Sequence, residues 1–271
     1  TSVVHDLDHV PRRRRRRDPI ASSNPTEMTP AKEAPVPLSE GGYGQYCPIT
    51  RAVEVLGERW SLLIVRDLLL GTTRFNDLAR GNPRLSRSLL AKRLRQLEMA
   101  GVVEHLDGEY LLTPAGRDLH PIVFGLGEWG AKWQFGEPHH DELDPELLMW
   151  WAHDRLDFAK LPDRRVVLEF RFIGEPRRFW VVRDALGPSL CTHDPGFDVD
   201  VLIEADLAVL YMVWLGRIDL RSAIRDGAVV FNGQTALVRR MSEVFMLSPI
   251  APVVAALRQG DQPVPVRAVP T

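Results

Sequence analysis

The stretch GTTRFNDLARGNPRLSRSLLAKRLRQLEMAG, residues 71–101, decides the fold. It predicts two helices joined by a tight, basic turn. A first helix from about Arg74 to Arg80 stops at Gly81-Asn82-Pro83, because proline disfavours helical geometry in the residue before it. A second helix begins after Ser86, a suitable N-cap, and ends at Gly101. Leu90, Leu94 and Leu97 recur at i, i+4 and i+7, so they line one face that points into a core. The same arithmetic gathers Ser88, Lys92 and Arg95 on the opposite face, with Arg84 and Arg87 at its N-terminal end. Asp77 and Glu98 are the only acids in the stretch.

A helix-turn-helix needs this arrangement: the second helix fills a core with one face and offers hydrogen-bond donors to base edges and phosphates with the other. Arg84, Ser86, Arg87, Ser88, Lys92 and Arg95 are therefore the candidate residues for double-stranded DNA. A basic, solvated helix of an ordinary helical protein shares the pattern. The next residues separate the two readings. Val102 to Leu106 and Glu109 to Leu112 read as two short strands around Asp107-Gly108, a type I′ turn signal. A hairpin directly after a recognition helix is a wing.

Over Tyr46 to Trp133 the chain resembles the HxlR-type winged-helix transcriptional regulators of bacteria. The resemblance rests on Tyr46-Cys47-Pro48-Ile49, Gly57-Glu58-Arg59-Trp60, Arg74-Phe75-Asn76-Asp77-Leu78, Leu85-Ser86, Arg93 to Glu98 with Gly101, Leu112 to Gly116, and Trp129-Gly130 with Trp133. In one respect the chain departs from that family, whose wing usually carries a longer, Pro-containing loop. Here Asp107-Gly108 alone joins the strands, which argues against deep minor-groove reading.

With 271 residues, 45% hydrophobic and 26% charged, the chain falls among soluble globular proteins with room for one or two domains. A net charge of -2 gives no global attraction to nucleic acid, but seven basic side chains from Arg74 to Arg95 supply a local patch. No apolar run approaches the roughly 18 to 20 residues of a membrane span, so no membrane insertion is expected. Nor does a charged-then-apolar N-terminal segment point to secretion, and a cytoplasmic location is expected. Cys47 and Cys191 alone make neither a disulfide framework nor a cysteine metal site. No G-x-S-x-G, H-E-x-x-H or phosphate-binding loop supports an enzyme, and no cofactor or metal is expected.

Residues 1–42 are rich in Pro, Ser, Gly and charge, and are expected to be disordered. Their Arg12 to Arg17 run suits phosphates or anionic lipid without sequence preference. With Met28 downstream, it equally fits residues foreign to the native protein. The winged-helix domain is expected over 43–135. Its first helix, Cys47 to Leu56, places a thiol at the positive end of a helix dipole, which favours thiolate. The resemblance implies a possible thiol sensor at Cys47, since several family members sense thiol-reactive compounds through this Cys-Pro motif; a merely packed or capping cysteine is the alternative. Glu58 to Leu70 reads as a core helix.

Thr113 is expected to cap a helix starting at Pro114, with an apolar stripe through Leu119, Ile122, Val123, Leu126, Trp129 and Trp133. Gly125 to Gly130 matches G-x-G-x-x-G but lacks the preceding strand of a dinucleotide site. Its glycines suit close helix approach, and the resemblance implies a homodimer through this region, with Leu126, Trp129 and Trp133 in the interface. Two-fold symmetry then sets two recognition helices about 34 Å apart.

Residues 136–159 read as a linker, in which His139-His140-Asp141 is solvated rather than metal-binding, followed by a connecting helix from Pro145 to Ala159. From Val166 to Phe172 the apolar period becomes two, the mark of a strand with one buried face. Strands are expected at Arg178–Arg183, Ser189–Thr192, Asp198–Ile203 and Ala228–Phe231, and helices at Asp206–Leu215, Leu220–Arg225 and Gln234–Phe245. This predicts an α+β domain with helices on a mostly antiparallel sheet over 160–250, then a loose tail over 251–271. The domain resembles sterol-carrier-protein-2-like domains through Asp200-Val201-Leu202-Ile203, Asp206-Leu207, Leu210, Gly216-Arg217-Ile218, Ala223, Gly227, Val229 and Gly233. That resemblance implies a possible apolar ligand pocket at Leu210, Trp214, Phe231 and Phe245 and a lipid-like effector; plain core is the alternative. The chain as a whole reads as a DNA-binding transcriptional regulator, or alternatively as a lipid or sterol carrier whose winged helix mediates protein contacts.

Overall fold

The computed structural model describes residues 42–185 and 187–257. Expectations for residues 1–41, Arg12 to Arg17 among them, and for the tail from Gln259 lie outside the described residues. The architecture is mixed α+β. The first half runs α1 (Pro48–Leu56), α2 (Ser61–Leu69), α3 (Phe75–Gly81), α4 (Arg87–Met99), β1 (Val103–Leu106), β2 (Glu109–Leu112), α5 (Pro114–Arg117) and α6 (His120–Trp133). Its core joins Ile64, Val65 and Leu68 of α2 to Leu78 of α3 and to Leu90, Leu94 and Leu97 of α4. The hairpin closes in register Leu106↔Glu109. Asp107 and Gly108 both take positive φ, 52° and 78°, as a type I′ turn demands.

The second half runs α7 (Pro145–His153), β3 (Val166–Phe172), β4 (Arg178–Asp184), β5 (Gly187–Cys191), β6 (Val201–Ala205), α8 (Leu207–Trp214), α9 (Leu220–Arg225), β7 (Val229–Gly233), α10 (Thr235–Val238), α11 (Met241–Val244) and α12 (Ala251–Leu257). The five strands order as β5-β4-β3-β6-β7. Every pair is antiparallel except β3 with β6, which is parallel in register Leu168↔Val201. Period-two alternation puts Val166, Leu168, Phe170 and Phe172 on the helix-covered face, with Phe179 and Val181 of β4. Val167, Trp180 and Val182 form a small cluster on the other face, against Cys191.

Several expected helices are shorter or broken, each for a local reason. The helix expected from Glu58 begins only at Ser61, because Trp60 takes a left-handed φ of 82°. The Arg59 carbonyl there accepts from Arg93 Nε at 3.1 Å instead of continuing a helix. The helix capped by Thr113 stops at Arg117 and restarts at His120, where Pro121 sits in the first turn; proline has no N–H to donate to the preceding turn. The helix expected to reach Ala159 ends at His153. Leu156 then bridges Phe245, and Asp157 donates its amide to the Val244 carbonyl at 2.8 Å. The expected Gln234–Phe245 helix divides into α10 and α11, yet Leu237, Met241 and Val244 keep one face buried.

Two expected boundaries move. Leu148, Met149 and Ala152 of α7 belong to the core of the sheet half, so this helix is a layer of that half and not part of a linker. Residues 251–257, expected to be loose, form α12, whose Ala251 and Val254 are buried and which packs on α6. Among the described residues no helix is long and apolar enough to cross a membrane.

Candidate nucleic-acid interface

The turn between α3 and α4 is fixed from beneath. Asn82 Nδ2 donates to Asp67 Oδ2 at 2.6 Å and to the Leu78 carbonyl at 3.0 Å. Asp67 is itself buried, and burial pushes its carboxyl pKa up against the opposing pull of Arg66 and the Asn82 hydrogen bond. Gly81 fits because a Cβ there would lie 3.2 Å from Asp67 Oδ2 and 3.6 Å from Trp150 Nε1. Ser86 then caps α4 by accepting the Leu89 amide at 3.3 Å.

With its three leucines buried, α4 turns Arg87, Ser88, Lys92 and Arg95 outward, and all four are exposed. Ser88, Lys92 and Arg95 share one face, as the helical period requires. Arg87 is held before any ligand arrives: its Nη2 donates to Asn76 Oδ1 at 2.5 Å and its guanidinium lies 5.1 Å over the Phe75 ring. Arg84 is exposed too, but donates to the Asp141 carbonyl at 2.7 Å. Ser86 is partly occupied, with its hydroxyl shared between the Leu89 amide and Ser88 Oγ at 3.2 Å.

Arg93, the residue next to Lys92 in the same basic run, has a different job. It is buried, donates to Gln96 Oε1 at 2.6 Å and pairs with Glu58, so it fastens α4 to the turn before α2. Asp67 had no signature in the sequence, and Asn76 stood there only as part of the Arg74 to Leu78 motif; the fold alone brings them to Asn82 and Arg87. Arg74 likewise ties the start of α3 to the wing, pairing with Glu109 at 3.2 Å, while the Tyr110 amide donates to the Thr73 carbonyl at 2.7 Å. Besides this paired Glu109, the wing itself carries Glu104 and Asp107, a charge that opposes phosphate.

Cys47 stands at the N-cap of α1 and is half-buried. The Thr50 and Ile49 amides at the helix start, then the Thr50 side chain, hold its thiol pKa below the ordinary value. Burial pushes that of Cys191 up. On α6, Leu126, Trp129 and Trp133 are 50%, 54% and 42% exposed. The close approach permitted by Gly127 is used within the chain, where a Cβ would meet Ile250 Cδ1 at 2.9 Å.

Leu210 and Trp214 are buried in the core of the sheet half, and Phe231 and Phe245 pack against that core with their rings 6.0 Å apart. These four residues fill space between sheet and helices. His139, His140 and Asp141 are solvated, with side chains 77%, 96% and 71% exposed. No group of three His, Cys, Asp or Glu side chains gathers for a metal among the described residues.

An HxlR-like helix-turn-helix family model matches residues 55–137. The HTH-type transcriptional regulator YvaP of Bacillus subtilis is 37% identical over 112 residues, covering 38% of this chain and 95% of that protein. The chain belongs to the HxlR-like helix-turn-helix family. An HTH-type regulator of Mycobacterium tuberculosis is 38% identical over 117 residues, covering 37% of this chain and 73% of its own length. Among solved structures, quinone-bound YodB of Bacillus subtilis is 33% identical, covering 32% of this chain and 100% of that one, with a TM-score of 0.31. The HxlR-like match takes in α2 to α6, and the sheet half follows it in the chain.

Proposed function

We propose that this HxlR-like protein is a sequence-specific DNA-binding transcriptional regulator that acts as a homodimer and responds to a small effector through its C-terminal half. The observation that carries the reading is α4 itself: a capped helix anchored by three buried leucines, with Arg87, Ser88, Lys92 and Arg95 on its exposed side. A helix held in this way can enter a major groove without reorganising. The names of its relatives as transcriptional regulators support the same reading. Effector response is supported by the direct packing of α7, a layer of the sheet half, against α3.

Retention of sheared genomic DNA on the immobilised protein, followed by sequencing, tests the reading. A two-fold symmetric motif with half-sites one helical turn apart, ~10 to 10.5 base pairs, is expected. Uniform retention of all fragments would reject sequence-specific binding.

A second reading, a carrier of the sterol-carrier-protein-2-like kind, is favoured by the order of strands and helices in the sheet half together with scattered residues such as Asp200 to Ile203 and Asp206-Leu207. Mass spectrometry of a solvent extract of the purified protein tests it. A stoichiometric lipid that leaves operator binding unchanged would favour the carrier.

A further inference from the structure

Between the two halves lies a cleft of about 370 Å³ whose use the DNA-binding surface does not explain. Trp60 and Leu63 line it, together with Leu147 and Trp151 of α7 and with Gly81 to Pro83, the turn leading into α4. A mostly apolar cleft of this size at a junction between halves is where small-molecule sites concentrate, in the ~300 to 1,000 Å³ range.

Its charges select the ligand. Arg66 is neutralised by Asp67 at 2.8 Å, and Arg84 is the other cation lining the cleft. Against it stand Asp141, Glu142 and Asp144, three acids to one cation, with Asp141 Oδ1 also 3.1 Å from His140 Nδ1, so the formal charge of the lining is negative. Two of these acids are held in place by main-chain amides: Asp144 accepts from Glu146 and Leu147 at 2.9 and 3.3 Å, and Glu142 from His139 at 2.8 Å. Both tryptophans already receive a planar cation on one face, Arg66 at 5.7 Å over Trp151 and Arg59 at 5.1 Å over Trp60. Indole is the best aromatic partner for such a cation.

We propose that this cleft binds a planar aromatic cation of two or three fused rings, stacked on its indole lining and balanced by Asp141 and Glu142. The Arg84 to Asp141 hydrogen bond joins its two sides. A seated ligand displaces that bond and shifts the turn before α4, which makes the cleft an effector site; this last step rests on the DNA-binding reading above.

The test uses the full chain with N-methylquinolinium as the cation and 2-naphthoate as an anion of similar shape. Calorimetry and tryptophan fluorescence without DNA should show saturable binding of the cation. The anion should bind about tenfold more weakly, as should the cation to Asp141→Asn/Glu142→Gln, a ratio equal to ~1.4 kcal/mol. Both substituted side chains are exposed, so the double variant keeps its unfolding midpoint. Trp151→Leu should weaken binding as well. No saturable binding, equal binding of the anion, or an unaffected double variant would each overturn the site. In a second arm the cation should release operator from the wild type and leave the double variant bound, with operator alone as the control for intercalation. Binding to free protein with unchanged operator affinity would overturn the coupling to the turn while keeping the cleft. Cation binding by a protein without operator affinity would overturn the DNA-binding reading and not the site.

Discussion

Arg87 and Lys92 share the exposed side of α4 but are prepared differently, and their removal should read out differently. Arg87 is oriented by Asn76 and Phe75 at the start of the helix, the position from which bases are reached. Arg87→Ala should cost about 1 to 3 kcal/mol on the preferred operator and little on random DNA. Lys92→Ala should weaken both alike and reduce the slope of log affinity against log salt by ~0.9. Fluorescence anisotropy across a salt series separates these outcomes, and unchanged affinity in both variants would remove α4 from the groove. Asp67 makes a pH prediction. Its folded-state pKa is raised by burial, so its contribution to stability is greatest below the unfolded value and is lost as pH rises through the folded value. Urea unfolding of wild type and Asp67→Asn from mildly acid to neutral pH should show the wild type losing ground steadily to the variant. Cys47, with its lowered pKa, should be alkylated faster than Cys191, whose pKa burial raises; peptide mapping after brief iodoacetamide treatment checks this. At this scale the sequence was readable where chemistry is local, as with the Ser86 cap and the outward cations. It was silent where partners are distant, as with Asn82 on Asp67 or Arg93 on Glu58.

Among the elements, α6 carries the next prediction. Its Leu126, Trp129 and Trp133 leave a broad apolar strip exposed, while Gly127 on the same helix is taken by Ile250 before α12. If a second copy covers that strip, Trp129→Ala should cost ~3 to 5 kcal/mol of association, as truncating a buried tryptophan does. Sedimentation should then show a concentration-dependent loss of dimer, and a wild type that is monomeric at micromolar concentration would rule the interface out. The hairpin was legible because Asp107-Gly108 is a strong local signal and flanks it with apolar residues. The helix breaks at Trp60 and Arg239-Arg240 were not, because the apolar period continues across them. Distant partners meet the chain at both breaks, Arg93 on the Arg59 carbonyl in the first case and the Lys160 carbonyl on Arg240 in the second.

At the scale of the molecule, α7 is the joint. It sends Leu148, Met149 and Ala152 into the core of the sheet half. Its tryptophans meet the other half, with Arg80 5.3 Å over Trp150 and Arg66 5.7 Å over Trp151. Scanning calorimetry should therefore show a single transition for both halves. Trp150→Ala combined with Trp151→Ala should split it into two, and a split transition already present in the wild type would mean the joint is too weak to couple them. This joint was invisible in the sequence, where 136–159 looks like a polar linker followed by a plain apolar helix. Nothing in a residue pattern says which of two cores a helix serves, or that it serves one while touching another. The parallel pairing of β3 with β6 also orders events during synthesis. Strands β3, β4 and β5 can close as a meander once Cys191 has emerged, but the second edge of β3 waits for Val201–Ala205. At roughly 5 to 20 residues per second the nascent chain holds its most deeply buried strand half-paired for about 1 to 3 seconds, beside a winged helix already complete. Slowed or arrested translation in that interval exposes an unpaired edge, the kind that recruits neighbouring chains, so holding nascent chains at this length should make them the most chaperone-dependent form of the protein.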